Sequence, residues 1–174
     1  PVPDAVAAPA GPDDPSRPLV LVIEDDPAAA ELLRVYLDGA GYRTEVAADG
    51  TSGLRAAAER RPAAILLDIL LPDVDGWEVL RRLKRDDRTR PIPGIVVSIV
   101  DDAPLGLGLG AIDYFVKPAS REALLESLGR LTFTTKVRSR TVTVLVIDAD
   151  EAATRQYRAM LEPEGFAVIA ARNG

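Results

Sequence analysis

Apolar and polar positions alternate along the chain in blocks, and the blocks repeat. Leu19-Val20-Leu21-Val22-Ile23 stops at Glu24-Asp25, Ile65-Leu66-Leu67 stops at Asp68, and Ile95-Val96-Val97 stops at Ser98. A further segment, Tyr114-Phe115-Val116, runs into Lys117-Pro118. Short continuous apolar runs of this kind read as strands buried on both faces. The pattern predicts strands near 19–24, 43–47, 63–68, 93–98 and 112–116, and helices near 27–39, 51–60, 75–85, 103–110 and 120–131. Pro27 suits a first helical turn, Gly39 and Gly41 a helix end, and Asp102 with Pro104 a helix start. In the helix 75–85, Val79, Leu80 and Leu83 share one face, while Arg81, Arg82, Lys84 and Arg85 lie largely on the other. Strands alternating with helices imply an α/β fold with a parallel five-stranded sheet between helices. Such a sheet binds ligands at the carboxyl ends of its strands, where Glu24, Asp25, Asp68, Ser98 and Lys117 are expected to converge.

The flanks differ from this middle. Residues 1–18 hold six prolines among Ala, Gly and Asp and read as a linker, as though cut from a longer protein. Residues 132–141 are polar and read as a second linker. From 142 the chain repeats itself at an offset of 124: Val144-Leu145-Val146-Ile147-Asp148 mirrors Val20-Leu21-Val22-Ile23-Glu24, and Gly165-Phe166 mirrors Gly41-Tyr42. Residues 142–174 are therefore expected to be the truncated start, a strand–helix–strand, of a second copy of the domain at 19–131. In that copy Ala149 stands where Asp25 stands in the first.

Bulk composition narrows the function. A net charge of −6 argues against a nucleic-acid surface. With no Cys there is no thiol catalysis or thiolate metal site, and with no His no catalytic triad and no imidazole to carry a phosphoryl group. No apolar run approaches the roughly 20 residues that cross a bilayer, so no membrane contact and a cytoplasmic location are expected. Gly106-Leu107-Gly108-Leu109-Gly110 has the look of a dinucleotide loop but not its context, since it does not join the first strand to the first helix. The loop that does is acidic and would repel a pyrophosphate.

The order and spacing of Glu24-Asp25, Asp68 with Pro72 and Gly76, Ser98, and Lys117-Pro118 resemble the receiver domain of two-component response regulators over residues 19–131. The resemblance implies a flavodoxin-like (βα)5 doubly wound fold followed by the partial βαβ repeat. It also implies a function: taking a phosphoryl group onto Asp68 from a partner histidine kinase or histidine phosphotransfer domain. The chemistry agrees. Like-charged carboxylates ~4 Å apart repel by about 4 kcal/mol at an effective dielectric of about 20, so three of them invite a cation, and oxygen ligands suit Mg²⁺. By resemblance Asp25, Asp68 and the Leu70 backbone carbonyl ligate the ion, with Glu24 acting through water. Asp68 is the nucleophile, Lys117 and Ser98 hold phosphoryl oxygens, and Tyr114 is the switch aromatic. The changed surface is helix 103–110, strand 112–116 and helix 120–131, through which a homodimer is conceivable. Such a domain catalyses its own phosphorylation and dephosphorylation without a turnover substrate, and its parent is expected to be a multidomain signalling protein such as a hybrid histidine kinase. The alternative is a docking module of the same fold that ignores phosphorylation, favoured by the bulky Ile99 after Ser98. A phosphohydrolase is disfavoured, because Leu70 stands where a general acid would be needed. Trp77 is expected to do packing alone.

Overall fold

The computed structural model describes residues 14–139, 142–147, 155, 158–159 and 166–171. Strands β1 (Leu19–Ile23), β2 (Arg43–Ala47), β3 (Ala64–Leu67), β4 (Gly94–Ser98) and β5 (Asp113–Val116) form one sheet in the order β2-β1-β3-β4-β5. Every pairing is parallel. The three central strands, LVLVI, AILL and GIVVS, are buried along their whole length, which is why they read as unbroken apolar runs. The edge strands β2 and β5 are mostly half-buried and carry charged or polar residues such as Arg43, Glu45 and Asp113. Charge at an open edge discourages pairing with other chains.

Helices α1 (Pro27–Gly39), α2 (Gly50–Arg60), α3 (Gly76–Arg85), α4 (Ala103–Gly108) and α5 (Arg121–Ser139) follow the strands in turn. Four of them start on an aspartate whose carboxylate accepts a backbone N–H of the first turn: Asp26, Asp49, Asp75 and Asp102. The core joins Leu21, Ile23, Ile65, Leu67 and Val96 of the sheet to Val79, Leu80 and Leu83 of α3. Gly76 lets α3 begin hard against the end of β3. A Cβ there would lie 2.5 Å from Ile69 Cα and 2.6 Å from the Asp68 carbonyl oxygen.

Two helices differ from the sequence expectation. Helix α4 ends at Gly108 rather than 110, because Gly110 turns to φ +98. Helix α5 continues to Ser139 rather than stopping at 131. Its polar extension TFTTKVRS contains no Gly or Pro to end it, so composition alone misleads there. Residues 14–18, the end of the expected first linker, form a turn in which the Arg17 N–H donates to the Asp14 carbonyl; residues 1–13 lie outside the described residues.

The chain divides into two compact units, Pro1–Gly129 and Arg130–Gly174. In the second, β6 (Val142–Ile147) and β7 (Phe166–Ala171) pair in parallel. Partners are 24 residues apart, as in β1 and β2, so Val144↔Val168 repeats Val20↔Thr44 at the offset of 124 seen in the sequence. Asp148, Ala149, Asp150, Gly165 and Gly174 lie outside the described residues. Among the described residues no helix is long and apolar enough to cross a membrane.

Candidate functional site

Four of the five strand ends deliver one polar group each. Glu24 follows β1, Asp68 follows β3, Ser98 ends β4 and Lys117 follows β5. Glu24, Asp68 and Ser98 are almost fully enclosed, at 2%, 5% and 0% exposure, while Asp25 faces solvent. Carboxylate oxygens of Glu24, Asp25 and Asp68 all lie within 4.8 Å of one another. The Lys117 ammonium bridges the two buried acids, 2.7 Å from Glu24 Oε2 and 2.6 Å from Asp68 Oδ2. Three carboxylates against one ammonium leave two formal negative charges uncompensated, open to solvent on the Asp25 side. That charge and its all-oxygen donor set fit a hard divalent cation.

Asp68 is the best-solvated acid of the cluster by protein groups. Ser98 Oγ donates to its Oδ1 at 2.6 Å, the Leu70 N–H to the same oxygen at 3.1 Å, and Lys117 to Oδ2. Burial opposes its charge, yet the hydrogen bonds from Lys117, Ser98 and Leu70 outweigh burial and hold its pKa below the ordinary carboxylate value. Glu24 has Lys117 and a longer bond of 3.3 Å from the Asp26 N–H. Burial wins there and pushes its pKa up. For Lys117 burial opposes the charge, but the two acids overcome it and raise its pKa. The resulting site holds an ionised, enclosed Asp68 beside a fixed ammonium, an arrangement suited to attack on an anionic electrophile.

A hydrogen-bond path leaves the cluster. Ser98 Oγ, donating to Asp68, accepts the Val100 N–H at 3.4 Å, and the Val100 carbonyl in turn accepts the Tyr114 hydroxyl. That hydroxyl also accepts the Asp102 N–H at 3.4 Å. The Tyr114 ring stacks on Trp77 with centroids 6.3 Å apart. Tyr114 is thus outside the acidic cluster and tied to the loop between β4 and α4. The Ser98 hydroxyl that starts this path is bonded to Asp68.

The sequence-predicted residues Glu24, Asp25, Asp68, Ser98 and Lys117 come together, and Leu70 reaches Asp68 through its N–H. Ile99 is 64% exposed. Two residues escaped the sequence reading. Trp77, taken as packing, stacks on Tyr114. Asp73 accepts hydrogen bonds from Gly50 and Thr51 at the start of α2. Neither pairing has a local spacing signal, because the partners are distant in sequence.

Beside Lys117 a cavity of about 300 Å³ is lined by Leu32, Leu33 and Tyr36 of α1 with Val97, Lys117 and Pro118. It is largely apolar, and Leu32 and Val35 of the same helix are 49% and 59% exposed.

Comparison with known proteins matches residues 20–129 to the response regulator receiver domain family. The DNA-binding dual master transcriptional regulator RpaA of Synechocystis sp. is 40% identical over 111 residues, covering 62% of this chain and 46% of that protein. Transcriptional regulatory protein AfsQ1 of Streptomyces coelicolor is 41% identical over 110 residues, covering 62% of this chain and 48% of that protein. The chain thus spans about half the length of the curated relatives it matches. Among solved structures, the receiver domain of a Pseudomonas aeruginosa sensor histidine kinase, with magnesium coordinated in its active-site cleft, has a TM-score of 0.62 at 30% identity. That match covers 66% of this chain and 97% of the other. The signal receiver domain of a histidine kinase from Syntrophus aciditrophicus has a TM-score of 0.64 at 33% identity, covering 73% of this chain and 98% of the other.

Proposed function

This chain belongs to the response regulator receiver domain family, and on that premise we propose that Asp68 accepts a phosphoryl group from a phosphohistidine of a partner kinase or phosphotransfer domain. An Asp68 carboxylate oxygen attacks phosphorus, a P–O bond forms, and the P–N bond breaks with its electron pair leaving on the imidazole. The observation that carries this reading is the assembly of an ionised Asp68 with Lys117 and Ser98 on its two oxygens. Lys117 turns from Asp68 to the incoming phosphoryl oxygen, and the Ser98 hydroxyl follows to another. Asp25 and Asp68, with the Leu70 carbonyl and with Glu24 through water, would hold Mg²⁺. When bound, the ion offsets the negative charge that meets at the site.

Withdrawing Ser98 from Asp68 loads the path through Val100 to Tyr114. The signal is read at α4, β5 and α5, where Leu105, Leu107, Ile112 and Val116 are exposed apolar side chains. Such a face supports a homodimer or an output partner. The apolar cavity and exposed Leu32 and Val35 on α1, adjoining Lys117, support docking of the phosphohistidine-bearing helices. The repeated register of β6 and β7 supports domains at 19–131 and from 142 onward in a tandem-receiver protein, a hybrid histidine kinase or another multidomain regulator, working in the cytoplasm.

Intact-mass measurement after incubation with acetyl phosphate tests the reading. One phosphoryl adduct is expected with Mg²⁺, none without it and none in Asp68→Asn. An adduct that persists in Asp68→Asn places the acceptor elsewhere.

A further inference from the structure

Asp73 lies in the loop between β3 and α3, on the chain that leaves the acceptor, yet its bonds go to another element. Its Oδ1 accepts the Gly50 N–H at 2.8 Å; its Oδ2 accepts the Thr51 N–H at 2.9 Å and the Thr51 hydroxyl at 2.6 Å. These are the first two N–H groups of α2, which have no partner within the helix. The helix's own cap, Asp49, serves only the next one, accepting the Ser52 N–H at 2.7 Å. The Thr51 hydroxyl bond, against slight burial and with the backbone donors, holds the Asp73 carboxyl far below the usual carboxylate range. Packing is as close as the bonding: a Cβ on Gly50 would lie 3.3 Å from Asp73 Oδ1 and 2.7 Å from Val79 Cγ2.

The other end of the loop is closed as well. The Gly76 N–H donates to the Ile69 carbonyl at 3.0 Å, and a Cβ on Gly76 would lie 2.6 Å from the Asp68 carbonyl oxygen. Between these fixed points sits Leu70, whose N–H donates to Asp68 Oδ1 while its side chain is half exposed. The orientation of the Leu70 peptide therefore depends on where the loop is pinned, and the pin on the α2 side is Asp73.

We propose that Asp73 is a positioning residue of the phosphoacceptor site: by clamping the first turn of α2 it fixes the loop 69–75 and with it the Leu70 backbone beside Asp68. This rests on the function proposed above, in which that backbone and Asp68 share a magnesium ion. The clamp acts through the loop and touches neither ion nor phosphoryl group.

Calorimetric titration of the full chain with MgCl₂ tests it, with Asp49→Ala as the control. Asp49→Ala removes a cap from the same helix without touching the loop, so both variants weaken α2 but only Asp73→Ala frees Leu70. Asp73→Ala is expected to lower Mg²⁺ affinity by about tenfold or more, the usual effect of removing a residue that orients a ligand, while Asp49→Ala stays within about twofold. Exchange of the Leu70 amide, followed by NMR without metal, should quicken in Asp73→Ala and not in Asp49→Ala. Thr51→Val, which deletes a single hydroxyl bond, should weaken Mg²⁺ binding in the same direction and decides the matter if Asp73→Ala does not fold. Equal Mg²⁺ affinity in Asp73→Ala and the unaltered chain overturns the proposal, as does an equal loss in Asp49→Ala. Mg²⁺ affinity left unchanged by Asp68→Asn would instead remove the functional reading on which the clamp depends, and the proposal with it.

Discussion

Glu24 is the costliest charge in the site. It is 2% exposed, and among the described residues its carboxylate has, beyond Lys117, the 3.3 Å bond from the Asp26 N–H. Burial raises its pKa above the ordinary 4.5 in spite of Lys117. A carboxyl with a raised folded pKa binds its proton more tightly folded than unfolded. Its contribution to stability is full below 4.5 and is lost as pH rises through the raised value. Asp68 has the opposite sign, since its lowered pKa gives stability above the ordinary 3.8 that is lost as pH falls through the folded value. In metal-free buffer the melting temperature should therefore carry a decline above pH 4.5 that Glu24→Gln abolishes. At pH 7 that variant should melt higher than the parent while binding Mg²⁺ less well, stability having been given up for function. A lower melting temperature at pH 7 would contradict this account of Glu24. Lys117 is the reverse case. Lys117→Met strands two buried carboxylates and should cost about 3 kcal/mol without metal; denaturant titration with saturating Mg²⁺ should recover part of the loss.

Helix α4 is where the fold is thinnest. It has six residues with Gly106 alone buried, against thirteen in α1, where Ala30, Leu33 and Leu37 are buried. Its amides should exchange faster than those of α1. Two of its glycines are not alike. Nothing lies within 4 Å of a Cβ on Gly108, so Gly108→Ala should stabilise the domain by about 0.4–1 kcal/mol through the unfolded chain. A Cβ on Gly106 would meet Tyr114 Cδ2 at 2.7 Å and Cε2 at 3.0 Å. Gly106→Ala should therefore destabilise despite its better helix propensity, and should push the ring off Trp77. Trp77 is the chain's single tryptophan, so its fluorescence reports the displacement directly. Unchanged emission in Gly106→Ala, with unchanged stability, would mean that α4 yields instead of the ring. The same stack makes Trp77 a probe of the acceptor site, linked to Asp68 by three hydrogen bonds through Ser98, Val100 and Tyr114 and by the ring stack.

At the scale of the molecule, legibility followed sequence distance. The central strands could be read because burial on both faces writes an unbroken apolar run, and the site because such a sheet brings strand ends together. What could not be read was a pairing that no strand-end rule predicts: Asp73 with Gly50 and Thr51, 23 and 22 residues apart. The length of α5 was hidden for a different reason, since its polar extension over residues 132–139 resembles a linker in composition. The repeat at offset 124 was legible and its register follows, but a shared register does not confer a shared stability. In the first unit β1 lies between β2 and β3, paired on both edges and wholly buried. Among the described residues β6 pairs with β7 alone. A two-stranded sheet is marginal in water, and the hydrogen bonds of a parallel pair are slightly weaker than those of an antiparallel one. Hydrogen exchange by mass spectrometry should therefore find β6 and β7 opening at far lower free energy than β1, β3 and β4, in a separate step before global unfolding. Equal protection of β6 and β1 would contradict this, and protection that rises with protein concentration would identify a second copy of the chain as the source of a further strand beside β6.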